Sequence, residues 1–225
     1  MSTERPFIIA IDGPAGAGKS TIAARLAARF GLLNLETGAM YRAFALKAME
    51  CGVETSDAAA LEKLAANTVI RLEPTPSGNR VLLDGIDVTS RMREQAITQA
   101  ASQVSVHPAI RQWMVDLQRK LAKLGGIVME GRDIGTVVFP HADIKIFLDA
   151  STEARGERRY EQSGRVVSQE ATLQEIRDRD ERDRNRAQSP LKPAPDATVI
   201  DSTHLTLDEV VSKVESLITA RLAAR

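Results

Sequence analysis

The residues that most restrict the fold are Gly13-Pro14-Ala15-Gly16-Ala17-Gly18-Lys19-Ser20. They lie between an apolar run, Phe7 to Ile11 with Asp12 at its end, and a segment in which Ile22, Leu26 and Phe30 recur at helical spacing. The run reads as a parallel strand buried on both faces, and the segment as an amphipathic helix with Gly31 where a C-cap belongs. The octapeptide matches G-x-x-x-x-G-K-[ST] at every fixed position. Glycines let successive backbone N–H groups turn inward around phosphate oxygens, and the positive end of the helix adds to the field. In such a loop Lys19 reaches the β- and γ-phosphates, the Ser20 hydroxyl ligates Mg²⁺, and Thr21 completes the phosphate-facing turn. A chain built this way is expected to bind a nucleoside triphosphate.

The rest of the chain alternates strand and helix. Leu32–Leu35, Ile127–Met129, Ile144–Leu148 and Ala197–Ile200 read as four further strands. Between them the spacing predicts helices over Thr37–Glu50 with Thr37 as cap, from Ser56 through Leu64, Arg93–Val106, Pro108–Leu124 and Asp208–Arg225. Five alternations imply a five-stranded parallel sheet with right-handed crossovers, flanked by helices. Residues 64–100 break the pattern. Val69, Leu72 and Val81–Leu83 flank Pro74, Pro76, Ser77, Gly78 and Asn79, and Asp84-Gly85 adds another turn before Ile86 and Val88. They read as an inserted, small β-containing subdomain.

Composition narrows the class. Thirty Lys and Arg balance thirty Asp and Glu, so no basic excess marks a nucleic-acid or anionic-membrane binder. One cysteine, Cys51, excludes an internal disulfide framework and suits a reducing compartment. No apolar run approaches the roughly 20 residues that span a bilayer, and Met1–Pro6 lacks the layout of a signal peptide. The expectation is a cytoplasmic protein. None of Asn34, Asn67, Asn79 and Asn185 opens the Asn-Lys-x-Asp motif by which GTPases read guanine.

The basic residues are strongly biased, 22 Arg against 8 Lys, and residues 153–186 hold nine Arg, nine acids and no Lys. Arg grips phosphate bidentately where Lys cannot. Arg155, Arg158 and Arg159 fall at i, i+3 and i+4 just after the fourth strand, and Gly164 offers a hinge. A short helical lid over about 151–168 would exclude water and bring positive charge to a transferring phosphoryl group. An Arg-rich helix over about 169–186 follows it, where Arg179, Asp183 and Arg186 share a face. Arg42 and Arg132 each follow a strand and so reach the carboxyl edge of the sheet, where open α/β folds bind ligands. Taken singly, each of these is an ordinary surface ion pair; converging with Arg186, they suit a doubly charged monophosphate.

At this point the chain resembles the bacterial cytidylate kinases. The resemblance rests on Ile11–Ser20, Thr37-Gly38-Ala39-Met40-Tyr41-Arg42, Ala101-Ser102-Gln103-Val104, the run Gly131–Pro140 and Arg179–Arg186, in family order over residues 7–220. It implies one kinase domain, with core segments 7–63, 101–150 and 187–220 and an acceptor-binding insert at about 64–100. It further implies that Thr37, Arg42, Arg132 and Arg186 hold the acceptor's phosphate side. Ser102, Arg111 and Asp133 would read cytosine, Asp183 would accept bonds from the sugar hydroxyls, and Arg179 would orient that group. Lys19, Arg132, Arg155, Arg159 and Arg186 would stabilise the transferring phosphoryl, with Arg158 at the ATP. Two positions depart from the commoner family pattern: Glu36 and Glu130 stand where Asp is usual, each keeping the carboxylate on a longer arm.

The implied reaction is transfer of the ATP γ-phosphate to CMP or dCMP, with Mg²⁺ and no general base. The acceptor oxygen is already ionised near neutral pH, so His107, His141 and His204 need no catalytic role. The implied protein is a monomer without nucleic-acid or membrane partners. Other readings stay open: a kinase with a hydroxyl acceptor, using Asp133 as base; a non-catalytic nucleotide switch; and nucleic-acid binding by the Arg-rich helix.

Overall fold

The computed structural model describes residues 6–75, 78–162, 164 and 168–224. Its centre is a five-stranded, all-parallel sheet formed by β1 (Ile8–Asp12), β2 (Leu33–Glu36), β6 (Ile127–Gly131), β7 (Ile144–Asp149) and β8 (Thr198–Asp201). The strand order is β2-β6-β1-β7-β8, which puts β1 in the middle. The register pairs Asp12 with Gly131 on one side and with Phe147 on the other. The ends of β1, β6 and β7 therefore meet at one edge.

Helices α1 (Lys19–Phe30) and α8 (Leu207–Ala223) pack on one face of the sheet. Helices α2 (Thr37–Glu50), α3 (Ala58–Ala66), α4 (Gln95–Val104) and α5 (Pro108–Leu121) share the larger core on the other face. Ile9 and Ile11 enter the first core and Ala10 the second, as a strand buried on both sides requires. The helix pair α6 (Thr152–Gln162) and α7 (Gln169–Asn185) stands over the carboxyl edge.

Residues 70–87 form a separate antiparallel sheet of β3 (Ile70–Thr75), β4 (Gly78–Leu83) and β5 (Ile86–Asp87). Pro76 and Ser77 of the expected turn lie outside the described residues, as do Ser163, Arg165, Val166 and Val167 of the expected lid.

Several local expectations need correction. Thr37 does not cap α2: the cap position is Glu36, and the Thr37 hydroxyl donates across to the Glu130 carbonyl at 2.8 Å. Asp57, not Ser56, caps α3, accepting from Ala60 N. The helix expected from Arg93 starts at Gln95, after a 3₁₀ turn over Thr89–Arg93. The last helix begins at Leu207 under a capping box of Thr206 and Glu209.

Gly13 is where the sheet limits the loop. Its φ is 150°, and a Cβ there would overlap the Leu148 carbonyl oxygen of β7. Gly13→Ala is expected to cost at least about 2 kcal/mol of stability. Urea unfolding followed by circular dichroism reads this directly, and an unchanged midpoint would show that the exit of β1 has slack.

Candidate active site

The phosphate loop is shaped by three glycines with positive φ, at 150° (Gly13), 77° (Gly16) and 91° (Gly18). Gly18 is also the N-cap of α1, and no side chain caps it. The first N–H groups of the helix are thus left to whatever the loop binds, as an anion site requires. Lys19 is buried and reaches back to donate to the Pro14 carbonyl at 2.7 Å, strapping its own loop. Burial, and then Arg132 nearby, pushes its pKa down to about 7. The Ser20 hydroxyl is exposed on the first turn of α1 and donates to Glu130 Oε1 at 2.9 Å.

The acceptor side is assembled from the end of β2, α2, α4, α5, the turn after β6, and α7. Arg132 Nε donates to Asp183 Oδ2 at 2.9 Å, and Arg186 Nη1 lies 3.6 Å from Asp183 Oδ1. One buried carboxylate on α7 thus gathers Arg132 from the turn after β6 and Arg186 three residues further along its own chain segment. Arg179 joins them, its pKa pushed down to about 10 by burial and then by Arg132, with Arg42 and Arg159 adding to the repulsion and Asp183 opposing it. Arg42 is ion-paired with Glu36. The Nε groups of Arg42, Arg111, Arg179 and Arg186 are all buried without a hydrogen-bond partner. Such a concentration of like charge with spare donors is costly in itself and would be relieved by an anion.

A second buried group lies beside it. Arg111 is ion-paired with Asp133 and donates to the Ser105 carbonyl at 3.1 Å, with its guanidinium 5.9 Å from the centre of the Tyr41 ring. Ser102, also buried, accepts from Arg182 Nε at 3.2 Å. Asp133, Ser102 and Arg111 together can meet the polar edge of a flat base, where an unpaired partner is penalised.

The expected lid arginines separate. Arg159 is exposed and close enough to act on Arg179. Arg158 donates to Ser202, at 3.2 Å to its hydroxyl and 2.6 Å to its carbonyl. Arg155 departs from the expectation of a cation facing the transferred group. It is 1% exposed, donates to the Ala150 and Ala15 carbonyls and to Thr152 Oγ1, and pairs with Asp180 at 2.6 Å. It braces the phosphate loop against α7. Thr37, likewise, spends its hydroxyl on β6.

Four side chains that contact these residues were not singled out from the sequence. Arg182 is hidden among eight other arginines, and Tyr41 stands inside the Thr37–Arg42 run without a role of its own. Asn79 reads as turn punctuation. Asp12 left one signal, a carboxylate closing an otherwise apolar strand. Its oxygens accept from Ile134 N and Gly135 N at 2.7 Å each, tying the phosphate loop to the loop that carries Arg132 and Asp133.

A phosphate loop beside a buried arginine cluster at one sheet edge defines a phosphotransferase of the P-loop class. A likeness to a solved structure, an uncharacterized protein from Eubacterium ventriosum (TM-score 0.53, 14% identity, 95% of this chain and 98% of that one), supports the fold. The cytidylate kinase family model matches residues 9–220. Curated cytidylate kinases from Geobacillus kaustophilus and Pelotomaculum thermopropionicum are 47% and 50% identical, covering 97% and 94% of this chain and 99% and 96% of their own. The chain belongs to the cytidylate kinase family.

Burial dominates Asp12 and lifts its pKa from 3.8 to about 7, against the two backbone bonds that lower it. The folded protein then holds a proton that the unfolded chain releases. Asp12 therefore contributes stability that is complete below about pH 4 and is lost as pH rises to about 7. Relative to the parent, Asp12→Asn is expected to gain stability across that window, by at most about 1.4 kcal/mol per pH unit, and to level off above it. Denaturation of both proteins at several pH values reads the difference; a constant offset would exclude the shift.

Proposed function

We propose that the protein transfers the γ-phosphate of ATP to CMP or dCMP, yielding ADP and CDP or dCDP. The observation that carries this reading is the convergence of Arg132, Arg179 and Arg186 on Asp183, with spare buried donors, beside the Lys19 loop. An oxygen of the acceptor's phosphate forms the new bond to the γ-phosphorus. The bond from that phosphorus to the β-bridging oxygen breaks, and ADP leaves with the electron pair. A phosphate monoester is largely dianionic near neutral pH, so no base is needed to create the nucleophile. Catalysis is positioning and charge stabilisation.

In this reading the N–H groups of Gly13 and of residues 15–21, with Lys19, hold the ATP phosphates, and Pro14 shapes the loop. Arg42, Arg132 and Arg186 take the acceptor phosphate, Asp183 and Arg179 the sugar side, and Ser102, Arg111 and Asp133 the base. Cytosine offers an amino donor where uracil offers a carbonyl acceptor, so a carboxylate such as Asp133 favours the former. Arg159 supplies lid charge, with Arg158 at the outer end of the ATP site, while Arg155 acts by holding the loop.

Magnesium fits the residues present. Ser20 offers an exposed oxygen ligand and Glu130 lies in hydrogen-bond contact behind it, a sparse oxygen set of the kind Mg²⁺ accepts alongside phosphates. When bound, the ion would neutralise charge between the β- and γ-phosphates. We read the protein as a cytoplasmic monomer with no nucleic-acid or membrane partner; no helix among the described residues is long and apolar enough to cross a membrane. The reading with a hydroxyl acceptor is disfavoured by the placement of Asp133, whose Oδ2 is ion-paired with Arg111.

ADP release with Mg-ATP against CMP, dCMP, UMP, AMP, GMP and no acceptor tests the proposal. Strong stimulation by the two cytidylates supports it, and a flat response across nucleotides overturns it. Arg186→Ala is expected to lower kcat/KM for CMP by at least about 100-fold while ATP still binds; normal turnover would remove Arg186 from the site. Asp133→Asn is expected to reduce the preference for CMP over UMP by about tenfold or more. An undiminished ratio would place base reading elsewhere.

A further inference from the structure

The small sheet of residues 70–87 packs Ile70, Leu72, Val81 and Leu83 into the larger core and pairs Asp84 with Lys47 of α2, and one polar side chain reaches the edge strand of the parallel sheet. Strand β2 lies at the edge of the parallel sheet and among the described residues pairs with β6 alone, so every second peptide group faces outward without a strand partner there. The Asn34 carbonyl and the Glu36 N–H both belong to that outward set, because peptide groups two residues apart point the same way. Asn79 of β4 satisfies both: its Nδ2 donates to Asn34 O at 2.6 Å, and its Oδ1 accepts from Glu36 N at 3.0 Å. The carboxamide therefore stands in for one peptide unit of a sixth strand. Glu36 is the N-cap position of α2, and its carboxylate is ion-paired with Arg42 one and a half turns on. The Arg42 guanidinium lies over the first turn, close enough that a Cβ on Gly38 would come within 3.1 Å of Nη1, and its Nε is buried without a partner.

We propose that Asn79 is a positioning residue for acceptor binding: by fixing the Glu36 backbone it sets the carboxylate that aims Arg42. The insert thereby sets the geometry of the phosphate-binding arginine. This rests on the reading that Arg42 takes the acceptor's phosphate.

The test is a steady-state kinetic cycle on the full chain with CMP and Mg-ATP, using Asn79→Ala, Arg42→Ala, the double variant and Arg80→Ala. Arg80 neighbours Asn79 but spends its side chain on Glu73 and Asp87 inside the small sheet. Asn79→Ala is expected to raise the KM for CMP about five- to tenfold, as loss of two hydrogen bonds implies, with the KM for ATP within about twofold of the parent. Arg80→Ala is expected to leave both unchanged. In the Arg42→Ala background the Asn79→Ala effect is expected to vanish, since its target is gone. If Asn79→Ala does not fold, Asn79→Ser, too short to bridge both backbone groups, carries the same expectation.

An unchanged KM for CMP in the folded Asn79 variant, while Arg42→Ala raises it, overturns this proposal alone. An Asn79 effect that persists in full without Arg42, or that raises both KM values equally, also overturns it by assigning the side chain a merely structural role. An unchanged KM for CMP in Arg42→Ala overturns the underlying reading of Arg42 instead.

Discussion

The site depends first on a single carboxylate at the end of the central strand. Asp12 accepts from two successive backbone N–H groups of the segment after β6, in the interior, where such groups must find partners. That segment forms a π turn over Ile134–Val138, with further backbone bonds from Ala142 N to Phe139 O and from Asp143 N to Ile8 O, and is tied by side chains as well. Arg119 of α5 donates to the Val137 and Val138 carbonyls, and Lys145 of β7 donates to Pro140 and pairs with Asp196. The chain leaving β1 towards the phosphate loop and the chain leaving β6 towards Arg132 and Asp133 are thus joined at their roots. The spacing between the phosphate loop and the loop of Arg132 and Asp133 is set there.

The second organising constraint is electrostatic. Arginine suits this interior because its charge survives burial and its planar fork can serve several acceptors at once. The arrangement is not self-sufficient, however. Asp183 compensates Arg132 and Arg186 directly, while burial and then Arg132 hold the Arg179 pKa down and four buried Nε groups have no hydrogen-bond partner among the described residues. Under the proposed function, the acceptor's phosphate is the anion that relieves this repulsion.

Much of the fold was legible because parallel α/β chains announce themselves locally. Five apolar runs, the phosphate loop and the shift to hairpin residues near Pro74–Asn79 each follow from period and turn chemistry. The strand order was not legible, since it depends on which surfaces bury each other across a hundred residues. Side-chain destinations were the least accessible. Thr37 looked like a cap because its type is right, yet a β6 carbonyl lay closer. Arg155 shared helical spacing with Arg158 and Arg159, but only the packing of α7 shows that it is enclosed. Asn79 belongs to the same class: a turn former by type, a strand mimic by position.

The contact between α6 and α7 has a mechanical consequence. Gly156 sits so tightly against Leu173 that a Cβ would overlap that side chain, and Arg177 pairs with Glu153 across the gap at 3.7 Å. Two helices meshed this closely cannot slide past each other without opening a void. They form one stiff unit rooted near Ala150 and Arg186. Because Arg155 ties the first root to the Ala15 carbonyl, that unit is anchored on the phosphate loop itself.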